Sequence, residues 1–131
     1  MRIFSVAVVW MTFYTVFAQE IVATDKFVLP NELPPVYVQQ IAGDSLSTSF
    51  LIVVSDTVQL HKHLFHSEHI FVLAGEAMLY FNDNITKIHP NDFLFIPKET
   101  WHAVKVTSSE PLRVISIQSP GFDGTDRVLK N

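Results

Sequence analysis

Four of the six histidines fall between His61 and His69, and the only acid among them is Glu68. A fifth, His102, follows a loop-like Pro97–Trp101 stretch. Val58 to His63 alternates as a strand would, with Val58, Leu60 and Lys62 on one face and Gln59, His61 and His63 on the other. His61 and His63 therefore present their imidazoles to the same side. Glu68 lies at an odd spacing beyond His63, which would put it on the opposite face of a continuous strand. If Leu64 to Ser67 turns the chain, Glu68 instead opens the neighbouring strand and faces the same interior. His102 must then arrive from a later strand. Three neutral imidazoles and one carboxylate suit a divalent Fe, Mn, Ni, Co, Cu or Zn ion. Four protein ligands on one wall would leave positions open for water or substrate.

The remaining candidates are less specific. His66-Ser67-Glu68-His69 is one residue short of the HxxEH zincin pattern, and that pattern needs a helix which this Phe-, Val- and Leu-rich segment does not favour. His66 reads as a turn residue and His69 as pointing away from the metal. Either could orient a ligand ring from behind. Trp101 and Tyr80 are candidates for lining a pocket, although buried aromatics in a barrel are more often core. His89, before Pro90, reads as a turn residue. Asn84-Ile85-Thr86 fits a glycosylation sequon. No Ser/His/Asp order, phosphate-binding glycine loop or CxxC pair is present.

The elements that must position these groups are strands. Val36–Ile41, Ser49–Val54, Val58–His63, a pair within His69–Phe81 broken at Ala74-Gly75-Glu76, Ile85–Ile88, Phe93–Ile96, His102–Val106 and Leu112–Ile117 are separated by turn-type residues. Beyond residue 18 no stretch sustains a 3.6-residue period with end signals. Many short strands at even spacing predict an all-β sandwich or closed barrel. Gln19–Pro35 is a proline-broken lead-in, and Ser119–Asn131 reads as a loop packed against the barrel.

Composition narrows the class. With 131 residues, 48% hydrophobic and 17% charged, the sequence is that of one globular domain rather than a disordered chain. A net charge of −4 without a basic cluster argues against a nucleic-acid partner. Met1-Arg2 followed by the apolar run Ile3–Ala18, with Val16-Phe17-Ala18 before Gln19-Glu20, has the build of a secretory signal peptide cleaved after Ala18. An uncleaved anchor is the alternative reading of the same run. The expected product is secreted or periplasmic, with no membrane association once residues 1–18 are removed.

The motif around the histidines resembles a known family. His61-Lys62-His63, four residues, Glu68, six residues and Gly75 match the first cupin motif, HxH(x)4E(x)6G, without a departure. Of the second, G(x)5PxG(x)2H(x)3N, Pro97 and His102 stand at the right spacing, while Asn91, Glu99 and Val106 replace its two glycines and asparagine. The sequence is thereby similar to small single-domain cupins (cupin 2 type) from about Val36 to Pro120. The resemblance implies a double-stranded β-helix, or jelly-roll barrel, over residues 36–120 and a tail over 121–131. It implies one divalent transition metal (Fe, Mn, Zn or Ni) on His61, His63, Glu68 and His102, a small-molecule ligand or substrate, and a homodimer. Two functions stay open: a metal-dependent dioxygenase, isomerase or lyase, and a non-catalytic module binding a sugar or organic acid. Because the imidazoles must be neutral to bind, metal affinity is expected to fall below about pH 6.5.

Overall fold

The structure, a computed structural model, describes residues 21–130. The predicted signal peptide, residues 1–18, lies outside them. Residues 21–35 contain one 3-10 turn, Thr24–Lys26, and reach the first strand through Pro34-Pro35. No helix among the described residues is long and apolar enough to cross a membrane.

Ten strands follow: β1 (Val36–Gly43), β2 (Thr48–Val54), β3 (Thr57–His63), β4 (Ser67–Ala74), β5 (Ala77–Phe81), β6 (Asn84–Ile88), β7 (Phe93–Ile96), β8 (His102–Val106), β9 (Leu112–Ser119) and β10 (Arg127–Leu129). They form two five-stranded antiparallel sheets, ordered β1-β2-β9-β4-β7 and β10-β3-β8-β5-β6. Chain neighbours β3 and β4 lie in different sheets, as do β6 and β7, so the chain repeatedly crosses between layers. That is the jelly-roll arrangement expected for an all-β chain of this kind.

The core lies between the sheets. From the first sheet Val54, Ile70, Val72, Leu112 and Val114 face Ala77, Leu79 and Ile88 of the second, all buried. Strand β9 shows the rule plainly: Leu112, Val114, Ser116 and Gln118 are buried and alternate with more exposed residues. Strand β2 departs from alternation because Leu51 and Val53, on its other face, are fully buried as well. A strand buried on both faces reads as a continuous apolar run, as Phe50–Val54 does.

Turn chemistry fixes the crossings. Gly75 sits at φ +77° between β4 and β5, and a Cβ there would lie 2.6 Å from the Pro111 carbonyl oxygen. Left-handed backbone and lack of space both require glycine. Asn91 (φ 75°) and Glu99 (φ 62°) occupy the two positions where the second motif has glycine. The left-handed turns are thus kept without glycine, readily by Asn and at some strain by Glu.

Two expectations need correction. Val58 does not share a face with Leu60 and Lys62, because a β-bulge between Val58 and His61 sets Gln59 and Leu60 against Ala103 alone. Val58 therefore lines the interior together with His61 and His63. The tail is not simply a loop, since Arg127–Leu129 adds a strand to the edge of β3, with Arg127 opposite His63.

Candidate metal centre

The bulge and the tail strand together aim the end of β3 inward. His61 and His63 are each 6% exposed, and His102, the first residue of β8, is 3% exposed directly opposite His61 in the ladder. The His61 and His102 ring centres are 4.1 Å apart, and His63 lies 5.2 Å from His61 and 5.6 Å from His102. One nitrogen from each of the three lies within 4.8 Å of the others. Glu68 approaches two of the three from β4, its Oε2 standing 3.7 Å from His63 Nε2 and 3.6 Å from His102 Nε2. The four groups do not share one wall, as the spacing had suggested. Three histidines hang from the second sheet and the carboxylate faces them from the first, because the turn at Leu64–His66 carries the chain across the barrel.

Hydrogen bonds fix the tautomers. His61 Nδ1–H donates to the Gln59 carbonyl at 2.8 Å, and His102 Nδ1–H donates to the Thr100 carbonyl at 2.9 Å. Each Nε2 then carries its lone pair inward, the arrangement a metal-binding histidine requires. The loop holding Thr100 is tied to β3 by the Glu99 N–H on the His63 carbonyl. Ser116 Oγ donates to Glu68 Oε1, leaving Oε2 toward the imidazoles. His102 Nε2 is buried without a hydrogen-bond partner. A buried lone pair left unpaired is costly, and an ion would satisfy it. Donors bound at about 2.1 Å around one ion stand about 3.0–4.2 Å apart, so separations of 3.6 and 3.7 Å fit such a site.

The charges are set the same way. Burial, then the neighbouring His102 and Arg127 charges, push His61 down to about 3, against the Gln59 carbonyl. Burial also lowers His63, partly opposed by Glu68. Burial pushes Glu68 up, but His102, the Ser116 hydroxyl and His63 outweigh it, so the carboxyl lies below its ordinary range. Burial thus favours the neutral form of His61 and His63, and the Glu68 carboxyl ionises below its ordinary range.

Above the ligands lies a cavity of about 180 Å³. Its walls are aliphatic and aromatic side chains from both sheets, and its only polar lining groups are the four candidate ligands, Gln118 and Arg127. Tyr80 and Trp101 are not among them. Tyr80 points out of β5 and is 37% exposed. Trp101 packs on the outside beneath Lys62 and Lys130, whose ammonium groups stand 5.1 and 5.6 Å from its ring centre. His69 faces outward too, stacking near Phe95 at 4.8 Å.

His66 is a turn residue, yet a buried one. Its Nδ1 donates to Asp126 Oδ2, and its Nε2 lies 3.1 Å from the Gly121 carbonyl. Both partners are acceptors, so both ring nitrogens must carry protons and the ring is an imidazolium. Burial works against this, but Asp126 and the Gly121 carbonyl prevail and raise the ring's pKa. Asp126, fully buried, also accepts the Phe65 and His66 N–H groups at 2.7 and 3.0 Å. Its Oδ2 stands 3.7 Å from His63 Nδ1. Sequence reasoning gave Asp126 no role, for its partners are set only when β10 is paired. It missed Gln118 and Arg127 as well. Gln118 alone left a signal, being a polar residue on the inward phase of an apolar strand.

Comparison with known proteins agrees with this geometry. Residues 50–118, more than half of the chain, match the family model of the cupin domain. The chain is 27% identical over 95 residues to a mannose-1-phosphate guanylyltransferase of Sinorhizobium fredii, covering 72% of this chain and 19% of that protein. It thus spans less than a fifth of the length of that relative. It is 32% identical over 81 residues to an uncharacterized protein of Aquifex aeolicus, covering 62% and 66% of the two chains. Among solved structures, a double-stranded β-helix protein of Klebsiella pneumoniae superposes with a TM-score of 0.74 at 18% identity, covering 87% of this chain and 99% of that one. A Streptomyces PAC13 variant solved with uridine gives 0.66 at 15% identity, covering 74% and 79%. The two-sheet barrel, the buried histidines lining its cavity and the family match lead to one conclusion: this chain belongs to the cupin family.

Proposed function

We propose that this cupin holds one divalent transition metal (Fe, Mn, Zn or Ni) through His61, His63, Glu68 and His102 and acts on a small molecule taken up in the adjoining cavity. The observation that carries this is the convergence of three imidazoles and a carboxylate, all buried, at the polar end of an otherwise apolar cavity. Each imidazole is held neutral or in a ligating tautomer, and Ser116 steadies the carboxylate. A bound divalent ion supplies a Lewis acid that polarises a ligand oxygen. The apolar walls exclude water and give the ligand its orientation. That one relative is a mannose-1-phosphate guanylyltransferase and that a PAC13 variant is solved with uridine supports small-molecule chemistry in general. Metal content of the purified protein tests the reading, with about one ion per chain in the wild type and loss in His63→Ala expected. No ion in the wild type after reconstitution would overturn it.

A second reading is favoured by one specific observation. The cavity lining offers no titratable group outside the ligands except Arg127, which is no general base at neutral pH. A binding module that holds a sugar or organic acid without turnover fits that lining. Product formation under metal-loaded conditions separates the two.

Two further proposals complete the picture. Export with cleavage after Ala18 predicts a native protein beginning at Gln19, read by N-terminal sequencing. A homodimer is proposed through the outer face of β4 and the edge strand β7, where Phe71, Phe93 and Phe95 are 39%, 63% and 51% exposed. An exposed aromatic edge strand invites pairing. Light scattering should report a dimer that Phe95→Glu converts to monomer.

A further inference from the structure

We propose that Arg127 and Gln118 form an anion-recognition pair in the cavity, and that the ligand is a small carboxylate with an apolar body. The inference rests on reading the cavity as a small-molecule site and names what that site selects. Arg127 opens β10 opposite His63, and its side chain contributes to the cavity lining although the residue as a whole is exposed. It makes no ion pair with any described carboxylate.

Gln118 lies on the adjacent wall, paired across the ladder with Glu68 on one side and Thr48 on the other. It is 7% exposed, lines the cavity, and its Oε1 has no hydrogen-bond partner. A buried amide end without a partner is costly to keep. Turned about its last torsion, the same amide presents N–H donors to the cavity. Guanidinium and amide together are the donors a carboxylate takes.

Charge balance points the same way. Glu68 and Arg127 cancel within the lining, and an imidazole that binds a metal does so in its neutral form. A divalent ion would leave the buried site at net +2, and an anionic ligand reduces that excess. The remaining lining, including Val38, Phe50, Ile52 and Leu94, offers only apolar contact, so the body of the ligand must be apolar too.

The test compares pentanoate with its neutral analogue pentanamide, by NMR titration of the metal-free and the Co2+-loaded protein, with cobalt stoichiometry measured separately. Wild type should bind pentanoate at least tenfold more tightly than pentanamide, as a charge-assisted contact would give. The ratio should fall to near one in Arg127→Gln and persist in Arg127→Lys. Should Arg127→Gln fail to fold, Gln118→Leu must still weaken pentanoate more than pentanamide. Equal affinity for the two probes, or no response to either, in both forms of the wild type overturns the inference. Absence of bound cobalt alongside a carboxylate preference would remove the metal reading and leave this one standing.

Discussion

Asp126 makes the sharpest demand on the fold, because a fully buried carboxylate is tolerated only when its charge and lone pairs are all answered. Here they are answered by the His66 imidazolium and by two backbone N–H groups of the turn joining β3 to β4. Replacing Asp126 by Ala removes every one of these acceptors at once. It strands a cation that is 3% exposed and two N–H donors beside it. Breaking a buried pair in this way costs about 3–5 kcal/mol. For a domain of this size each kcal/mol moves the midpoint by about 4 °C, so the melting temperature should fall by roughly 12–20 °C. Urea unfolding of the metal-free protein gives the same quantity at constant temperature. Replacing both partners, His66→Leu with Asp126→Leu, should recover much of the loss, because an apolar pair leaves no stranded charge. A metal-free Asp126→Ala protein melting within about 3 °C of wild type would refute the argument, since the ion pair would then contribute less than about 1 kcal/mol.

The other expectations follow from single contacts. In metal-free protein His61 has a folded pKa of about 3 against 6.5 unfolded, so its contribution is present above pH 6.5 and is lost as pH falls. Lowering the pH from 7.5 to 5 should cost roughly 2 kcal/mol by this route, and His61→Gln should flatten that limb of the urea-denaturation profile. His66 has the opposite sign, its raised pKa giving stability that is full below pH 6.5 and lost as pH rises through the folded value. Imidazole NMR should therefore find His66 still protonated above the pH at which an exposed histidine has titrated. Ser116→Ala frees Glu68 Oε1 and should weaken Co2+ binding about tenfold or more while leaving its stoichiometry at one. Gly75→Ala adds a Cβ against the Pro111 carbonyl at a left-handed position and should lower stability by about 2 kcal/mol or more in thermal unfolding.

Much of the architecture was legible because its signals are local. Turn residues at Asn82-Asp83 and His89–Asp92 delimit β6 and β7, and the inward phase of β9 is written as Leu112, Val114, Ser116 and Gln118. The four candidate ligands were legible because the HxH pair, the glutamate and the later histidine keep fixed spacings, and the barrel brings them together. What escaped depends on pairings between distant segments. A bulge at Gln59-Leu60 arises only against Ala103 of β8, so the alternation read along β3 alone gave Val58 the wrong face. The aromatic guesses failed for a related reason. Tyr80 and Trp101 look like pocket residues by type, but the strand phase of Tyr80 and the two lysines over Trp101 place both outside.

The tail shows where the boundary lies between what local sequence fixes and what assembly adds. Ser119–Asn131 carries prolines and glycines that forbid any long element, and a packed loop was the natural reading. Its function instead depends on two consecutive residues whose side chains do opposite things. Asp126 turns inward to hold the β3–β4 turn, and Arg127, one residue on in the extended strand, contributes to the cavity lining. Pairing with β3 is what gives each its direction, through the register that sets Arg127 opposite His63. The same short strand therefore braces the segment carrying His63 and Glu68 and supplies the cavity's one cation. Loss of β10 should consequently weaken stability and ligand selection together, whereas Arg127→Gln should affect selection alone.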